Sequence, residues 1–180
     1  MIPTGVLPAI RNMKDFEKAL QSNHDILLVL ESRLSQLKSI VSYAKRENKD
    51  IYLHFDLIQG LKPDEFGMEF LIREVKPAGI LSTRGNVIKL AKKNKLVAIQ
   101  RMFLLDSIAL EHNIKLIKRT EPDCVEVLPG LIPSMINKVH DETGLPVIAG
   151  GLVNAESEVD AAMEAGAVAV STSNDELWDF

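Results

Sequence analysis

The chain has 180 residues, 46% of them hydrophobic and 26% charged, with one cysteine and a formal net charge of −4. That balance excludes a disordered or fibrous chain and fits a single globular domain over residues 1–180. A lone Cys124 excludes an internal disulfide framework and suits a cytoplasmic protein. No apolar run approaches the roughly 18 residues of a membrane span. Met1–Ile10 carries no basic residue ahead of an apolar stretch, so neither a membrane nor a secretory leader is expected.

Short apolar runs alternate with amphipathic stretches. The runs are Val6–Ile10, Ile26–Leu30, Ile51–Leu57, Gly79–Leu81, Leu96–Ile99, Cys124–Leu128, Pro146–Ala149 and Ala167–Val170. Their length and β-branched content predict buried strands. Between them, Phe16/Ala19/Leu20, Leu34/Leu37/Ile40/Val41/Ala44, Val87/Ile88/Ala91, Leu110/Ile114/Ile117, Met135/Ile136/Val139 and Val159/Ala162/Met163 follow helical spacing. Asn12, Asp106 and Asn154 are candidate N-caps. Asn48, Asn94, Gly144 and Gly166 are candidate terminators. Strand–helix alternation implies parallel strands joined by crossover helices. Eight such units predict an α/β fold, a compact (β/α)8 TIM-like barrel with short loops and a truncated last helix. The competing architecture is an open doubly wound sheet.

In either architecture the chemistry sits beyond the carboxyl ends of the strands. The seventh run ends in Gly150–Gly151 and the eighth in Ser171–Thr172–Ser173. Glycine lets a backbone approach an oxyanion, and N–H groups at a helix start point at it, so these five residues are a candidate phosphate site. The bland alternative is a tight turn with a hydroxyl cap. Asp175 and Glu176 in the final turn would repel a phosphate unless turned away. In the third run His54 and Asp56 share a strand face. They read equally as an acid/base or polyol-orienting pair and as a satisfied buried hydrogen-bond pair. Glu126 lies mid-strand among apolar residues and needs a cation or donor, for which Arg11, Arg84 and Arg101 are the candidates. No lysine ends a strand, and the four histidines show no metal-ligand spacing. A Schiff-base mechanism and a metal site are therefore not expected, nor is a cofactor.

Charge is spread unevenly: residues 1–83 are neutral, 84–119 carry +7 and 120–180 carry −11. The basic block holds Lys89, Lys92, Lys93, Lys95, Lys115, Lys118 and Arg119 on two consecutive helices. It reads as a solvated surface or as a polyanion-binding stripe. Aromatics are only 5%, which gives single-strand base stacking little support.

Leu7–Asn12, His54–Gly60, Pro77–Arg84, Ala98–Asp106, Glu126–Gly130, Ala149–Gly151 and Ser171–Asn174 together resemble the glycerol uptake operon antiterminator family, over nearly the whole chain. The resemblance implies a barrel-like fold, glycerol 3-phosphate as effector and leader mRNA as partner, with no catalytic residue to carry over. The competing expectation is an enzyme acting on a small phosphorylated substrate. A third is an interaction module: the short last helix would leave a flank for a neighbouring subunit, making a homo-oligomer an expectation as well.

Overall fold

The computed structural model describes residues 1–180. Eight parallel strands close a barrel in the order β1 (Gly5–Ile10), β10 (Ala169–Thr172), β9 (Val147–Gly150), β8 (Cys124–Leu128), β7 (Val97–Phe103), β6 (Gly79–Ser82), β4 (Asp50–His54) and β2 (Ile26–Val29). The remaining strands, β3 (Ser32–Arg33) and β5 (Ile58–Gln59), form a separate parallel ribbon. Helices α1 (Met13–Leu20), α2 (Leu34–Arg46), α3 (Glu65–Phe70), α4 (Gly85–Lys93), α5 (Ser107–Thr120), α6 (Pro133–Thr143) and α7 (Glu156–Glu164) join the barrel strands. The closed barrel, rather than the open sheet, is the architecture formed.

Two apolar layers hold it together. Leu7, Leu28, Tyr52, Leu81, Ile99, Ile148 and Ala169 fill the lumen. Leu27, Leu53, Ile80, Val125 and Val170 alternate with them and pack outward under the helices. Strands buried on both faces read as unbroken apolar runs, which is why all eight are visible in the sequence. A Cβ on Gly79 would lie 2.7 Å from the Tyr52 ring, so the bulky lumen residue of β4 needs a glycine on β6.

The N-caps at Asn12 and Asp106 form as expected: each side chain accepts an N–H from three residues on, Asp15 at 3.0 Å and Ala109 at 2.7 Å. Asn154 does not cap α7. Glu158 instead turns its carboxylate back onto the Asn154 and Ala155 amides, at 2.7 and 3.1 Å. Helix α3, which the periodicity does not reveal, continues through a π-helical turn at Leu71–Val75.

The eighth helix is reduced to a 3-10 turn, Asp175–Leu177. The barrel is nonetheless complete, because β10 pairs with β1 from Gly5↔Ala169 to Pro8↔Thr172. Leu177 and Trp178 are buried over the seam. The Trp178 indole donates to the Thr172 carbonyl at 3.0 Å. The short last helix thus leaves no open flank at this seam.

Candidate functional site at the barrel mouth

Parallel strands deliver all their carboxyl ends to one rim. His54, Arg101, Glu126 and Ser171 each lie two residues beyond a lumen-facing neighbour (Tyr52, Ile99, Cys124 and Ala169), so strand periodicity turns all four into the top of the lumen. Register places Arg101 beside Glu126. The fully buried Glu126 carboxylate accepts from Arg101 Nε at 2.6 Å and from Ser171 Oγ at 2.6 Å. Of the three candidate arginines, register selects Arg101 as its counter-ion.

The chain of polar groups continues across the mouth. Arg101 Nη1 lies 3.5 Å from His54 Nδ1, and His54 Nε2 lies 3.7 Å from Asp56 Oδ2. Asp56 in turn accepts from Ser82 Oγ at 2.6 Å, from the Thr83 amide at 2.7 Å and from the Thr83 hydroxyl at 2.8 Å, with Arg84 Nε at 3.5 Å. Burial alone would raise the Asp56 pKa. The His54 ring, Ser82 and Thr83 outweigh it and hold the carboxyl well below the usual range.

His54 and Asp56 do not share a strand face. β4 ends at His54, and Phe55–Leu57 forms a 3-10 turn that swings the Asp56 carboxylate onto the Ser82–Thr83 segment. Three donors saturate that carboxylate, which makes it a structural acceptor and a poor proton carrier. His54 Nε2 and Ser32 Oγ are the two buried side-chain polar atoms without a hydrogen-bond partner. Ser32 had no sequence signal of its own, since it sits in a two-residue strand between longer elements.

Beside this network opens a cavity of about 130 Å³, lined by Arg101, Gly151, Val153 and Ser171–Ser173 among others. The loops after β9 and β10 therefore meet. The main-chain N–H groups of Gly151, Leu152, Val153 and Ser173 have no acceptor within the chain. Gly151 and Leu152 both have positive φ, +73° and +65°, a conformation that disfavours leucine and that persists where surrounding structure imposes it.

Two of the three candidate hydroxyls are already engaged: Ser171 donates to Glu126, and Thr172 donates to the Val153 carbonyl at 2.8 Å, whereas Ser173 is exposed. Gly150 has a packing reason to be glycine. A Cβ there would lie 2.5 Å from Ser171 Oγ and 2.8 Å from Glu126 Oε1. Asp175 is turned away from the mouth, onto Lys18 Nζ at 2.7 Å. Arg11 is exposed and lines a separate crevice with Glu31 between α1 and α2.

The basic residues run along α4 and α5 towards the end of the molecule away from the mouth. Helices α4 and α5 pack side by side, and Lys89, Lys92, Lys93, Lys95, Lys115, Lys118 and Arg119 are all exposed. Helices run back from the mouth, so Lys92, Lys93, Lys118 and Arg119, in their last turns, lie at the base. The length of α5 puts the two ends roughly 20 Å apart. Lys92 is partly neutralised by Asp123, at 2.5 Å.

The chain is a (β/α)8 barrel whose mouth holds a guanidinium and unsatisfied main-chain amides beside one cavity. The family model described as glycerol-3-phosphate responsive antiterminator matches residues 6–178, and the chain belongs to that family. It is a family of regulators, and the chain is a regulator rather than an enzyme.

Among solved structures, a glycerol uptake operon antiterminator regulatory protein from Listeria monocytogenes is 43% identical, with a TM-score of 0.96 over 99% of this chain and 97% of its own. An antiterminator-related protein from Thermotoga maritima is 30% identical, with a TM-score of 0.88 over 99% of this chain and all of its own. The protein YgcP of Escherichia coli (strain K12) is 32% identical over 96% of this chain and 91% of its own length. The aldolase QR15, at 13% identity and a TM-score of 0.72, shares the fold alone.

Proposed function

We propose that the mouth cavity binds glycerol 3-phosphate and that the ligand-bound protein engages the leader mRNA of glycerol-utilisation genes in the cytoplasm, so that transcription passes a terminator. One observation carries the effector half. Arg101 and the unsatisfied main-chain N–H groups of Gly151, Val153 and Ser173 border a cavity sized for a phosphorylated three-carbon ligand rather than for a nucleotide, with the Leu152 N–H in the same turn. The phosphate lies against Gly151, Leu152, Val153 and Ser173. The glycerol hydroxyls face the Arg101–Glu126–His54 side. The ligand acts as an effector, bound and released unchanged, with no cofactor.

The RNA half is supported by the exposed basic stripe on α4 and α5, which reads phosphates rather than bases. Lys93, Lys118 and Arg119 are its members in helix last turns that form no ion pair within the chain. The test is a gel shift of the leader RNA with and without glycerol 3-phosphate, alongside calorimetry of the effector with free protein. Binding of RNA strengthened by the effector is the expected result. A flat calorimetric trace removes the effector site, and RNA affinity unchanged by the effector removes the coupling.

A further inference from the structure

The rim of the mouth is divided into two unlike halves. On the side of β1, β2, β4 and β6 it mixes the charged Arg11, Glu31, Asp56 and Arg84 with the exposed Met13, Leu57 and Phe66. On the side of β7, β8 and β9 it carries Phe103, Leu105, Ile108, Leu131, Ile132 and Leu152, all exposed, with Leu105 at 79%, Ile108 at 81% and Leu152 at 69%. These six form one surface, because the loops bearing them are tied together. The Leu104 amide donates to the Leu128 carbonyl at 2.8 Å, and the Gly130 amide donates to the Gly150 carbonyl at 2.6 Å. Packing within the chain leaves this arc uncovered.

We propose that a second copy of this chain covers it, in a two-fold pairing that lays arc on arc around the mouths, and that effector binding strengthens the pairing. Charge decides the occupant. Across residues 103–108, 129–134 and 151–155 the single charged side chain is Asp106, and its carboxylate is spent capping α5 at the Ala109 amide. An RNA backbone would find no cation there. A lipid surface would find no basic flank. A charged partner protein would find no complement. A copy of the same uncharged surface meets itself without like-charge cost, as a two-fold interface requires.

Area agrees. Six side chains at these exposures offer on the order of 700 Å², close to the ~800 Å² per partner of a standard interface and beyond the usual patch on a monomer. The coupling to effector rests on the site proposed above. Leu152 contributes its side chain to the arc and sits between Gly151 and Val153, which both line the cavity, so a ligand that orders Gly151–Val153 orders part of the interface. Linkage is reciprocal: pairing tightens effector binding by the same factor.

The test is sedimentation velocity of the full chain from 1 to about 100 µM, with and without glycerol 3-phosphate, beside calorimetry of the effector. A concentration-dependent dimer is expected, with a dissociation constant at least threefold lower when effector is present. Ile108→Lys and, separately, Leu105→Lys are expected to be monomeric, with unchanged far-UV circular dichroism. A wild type monomeric at the highest concentration overturns the proposal, as does a dimer that survives both substitutions. Loss of RNA binding in Ile108→Lys with the dimer intact overturns it by making the arc an RNA surface. A dimer broken by Ile108→Lys but blind to effector removes the coupling alone. If the wild type also gives no calorimetric signal, it is the effector site that fails and the interface stands.

Discussion

Arg101 and Glu126 stand side by side on neighbouring strands, and the 2.6 Å bond between them joins a lumen carboxylate with no solvent exposure to the one guanidinium that also borders the mouth cavity. The pair is therefore both a structural link and a wall of the proposed ligand site. A buried ion pair contributes little net stability against an apolar substitute, but removing one member strands the other. Arg101→Met should destabilise the fold by about 3–5 kcal/mol in urea unfolding. Arg101→Met combined with Glu126→Gln should regain a good part of that loss. Equal stability of the single and double variants would show that Glu126 does not depend on Arg101.

Asp56 makes a second, pH-dependent contribution. Its folded pKa is depressed, so the stabilisation is fully present above the unfolded aspartate pKa and is lost as pH falls through the folded value. The loss begins below about pH 4. Melting temperatures recorded from pH 6 down to 2 should fall more steeply for wild type than for Asp56→Asn, and the two curves should converge at the acid end. Parallel curves would assign the acid sensitivity to other carboxylates.

Gly150 tests whether the network tolerates any intrusion. The Cβ of Gly150→Ala would meet Ser171 Oγ and Glu126 Oε1 well inside contact distance, and both atoms are held by hydrogen bonds. Overpacking of this kind costs about 1–3 kcal/mol. The same displacement shifts Arg101, so calorimetry should show weaker glycerol 3-phosphate binding as well as the lower unfolding midpoint. A variant with wild-type stability would mean that the β9–β10 seam yields more easily than its geometry suggests.

Cys124 lies at the lumen end remote from the mouth, where burial, and secondarily the nearby Glu126, push its thiol up to about 12. It should resist thiol reagents in the native state at pH 8 and react fully once unfolded in guanidinium. Rapid labelling of the native protein would reveal an opening of the barrel base.

The basic stripe divides by pairing. Lys92 spends part of its charge on Asp123, whereas Lys93, Lys118 and Arg119 do not pair within the chain. Lys93→Glu with Lys118→Glu and Arg119→Glu should lower leader-RNA affinity at least tenfold and flatten its dependence on salt, while glycerol 3-phosphate binding to free protein is kept. Wild-type RNA affinity in this variant would move the contact face elsewhere.

How far the sequence reveals all this depends on whether a feature is local. The eight strands are legible because each is apolar on both faces. Helix α3 is not, since Gly67 sits inside it, Phe66 is exposed and its end widens into a π turn, which together erase the helical period. The lumen placement of Glu126 follows from its apolar neighbours, but three arginines compete for it until inter-strand register, a non-local property, picks one. Strand alternation alone puts His54 and Asp56 on one face. The 3-10 turn that separates them forms because Asp56 gains three donors on a segment 26 to 27 residues away. The sequence groups the two glycines as one anion cradle, whereas the structure gives Gly150 a steric reason to lack a side chain and leaves the open amide to Gly151.

The chain's single tryptophan is fastened to the Thr172 carbonyl, one residue before the Ser173 amide that borders the cavity. Glycerol 3-phosphate bound at the mouth as proposed would lie one residue from the tether of the only indole, which would give the protein its own optical gauge of effector. Titration by intrinsic emission needs no label and no substitution, and any wavelength shift can be ascribed to a single fluorophore at a known place.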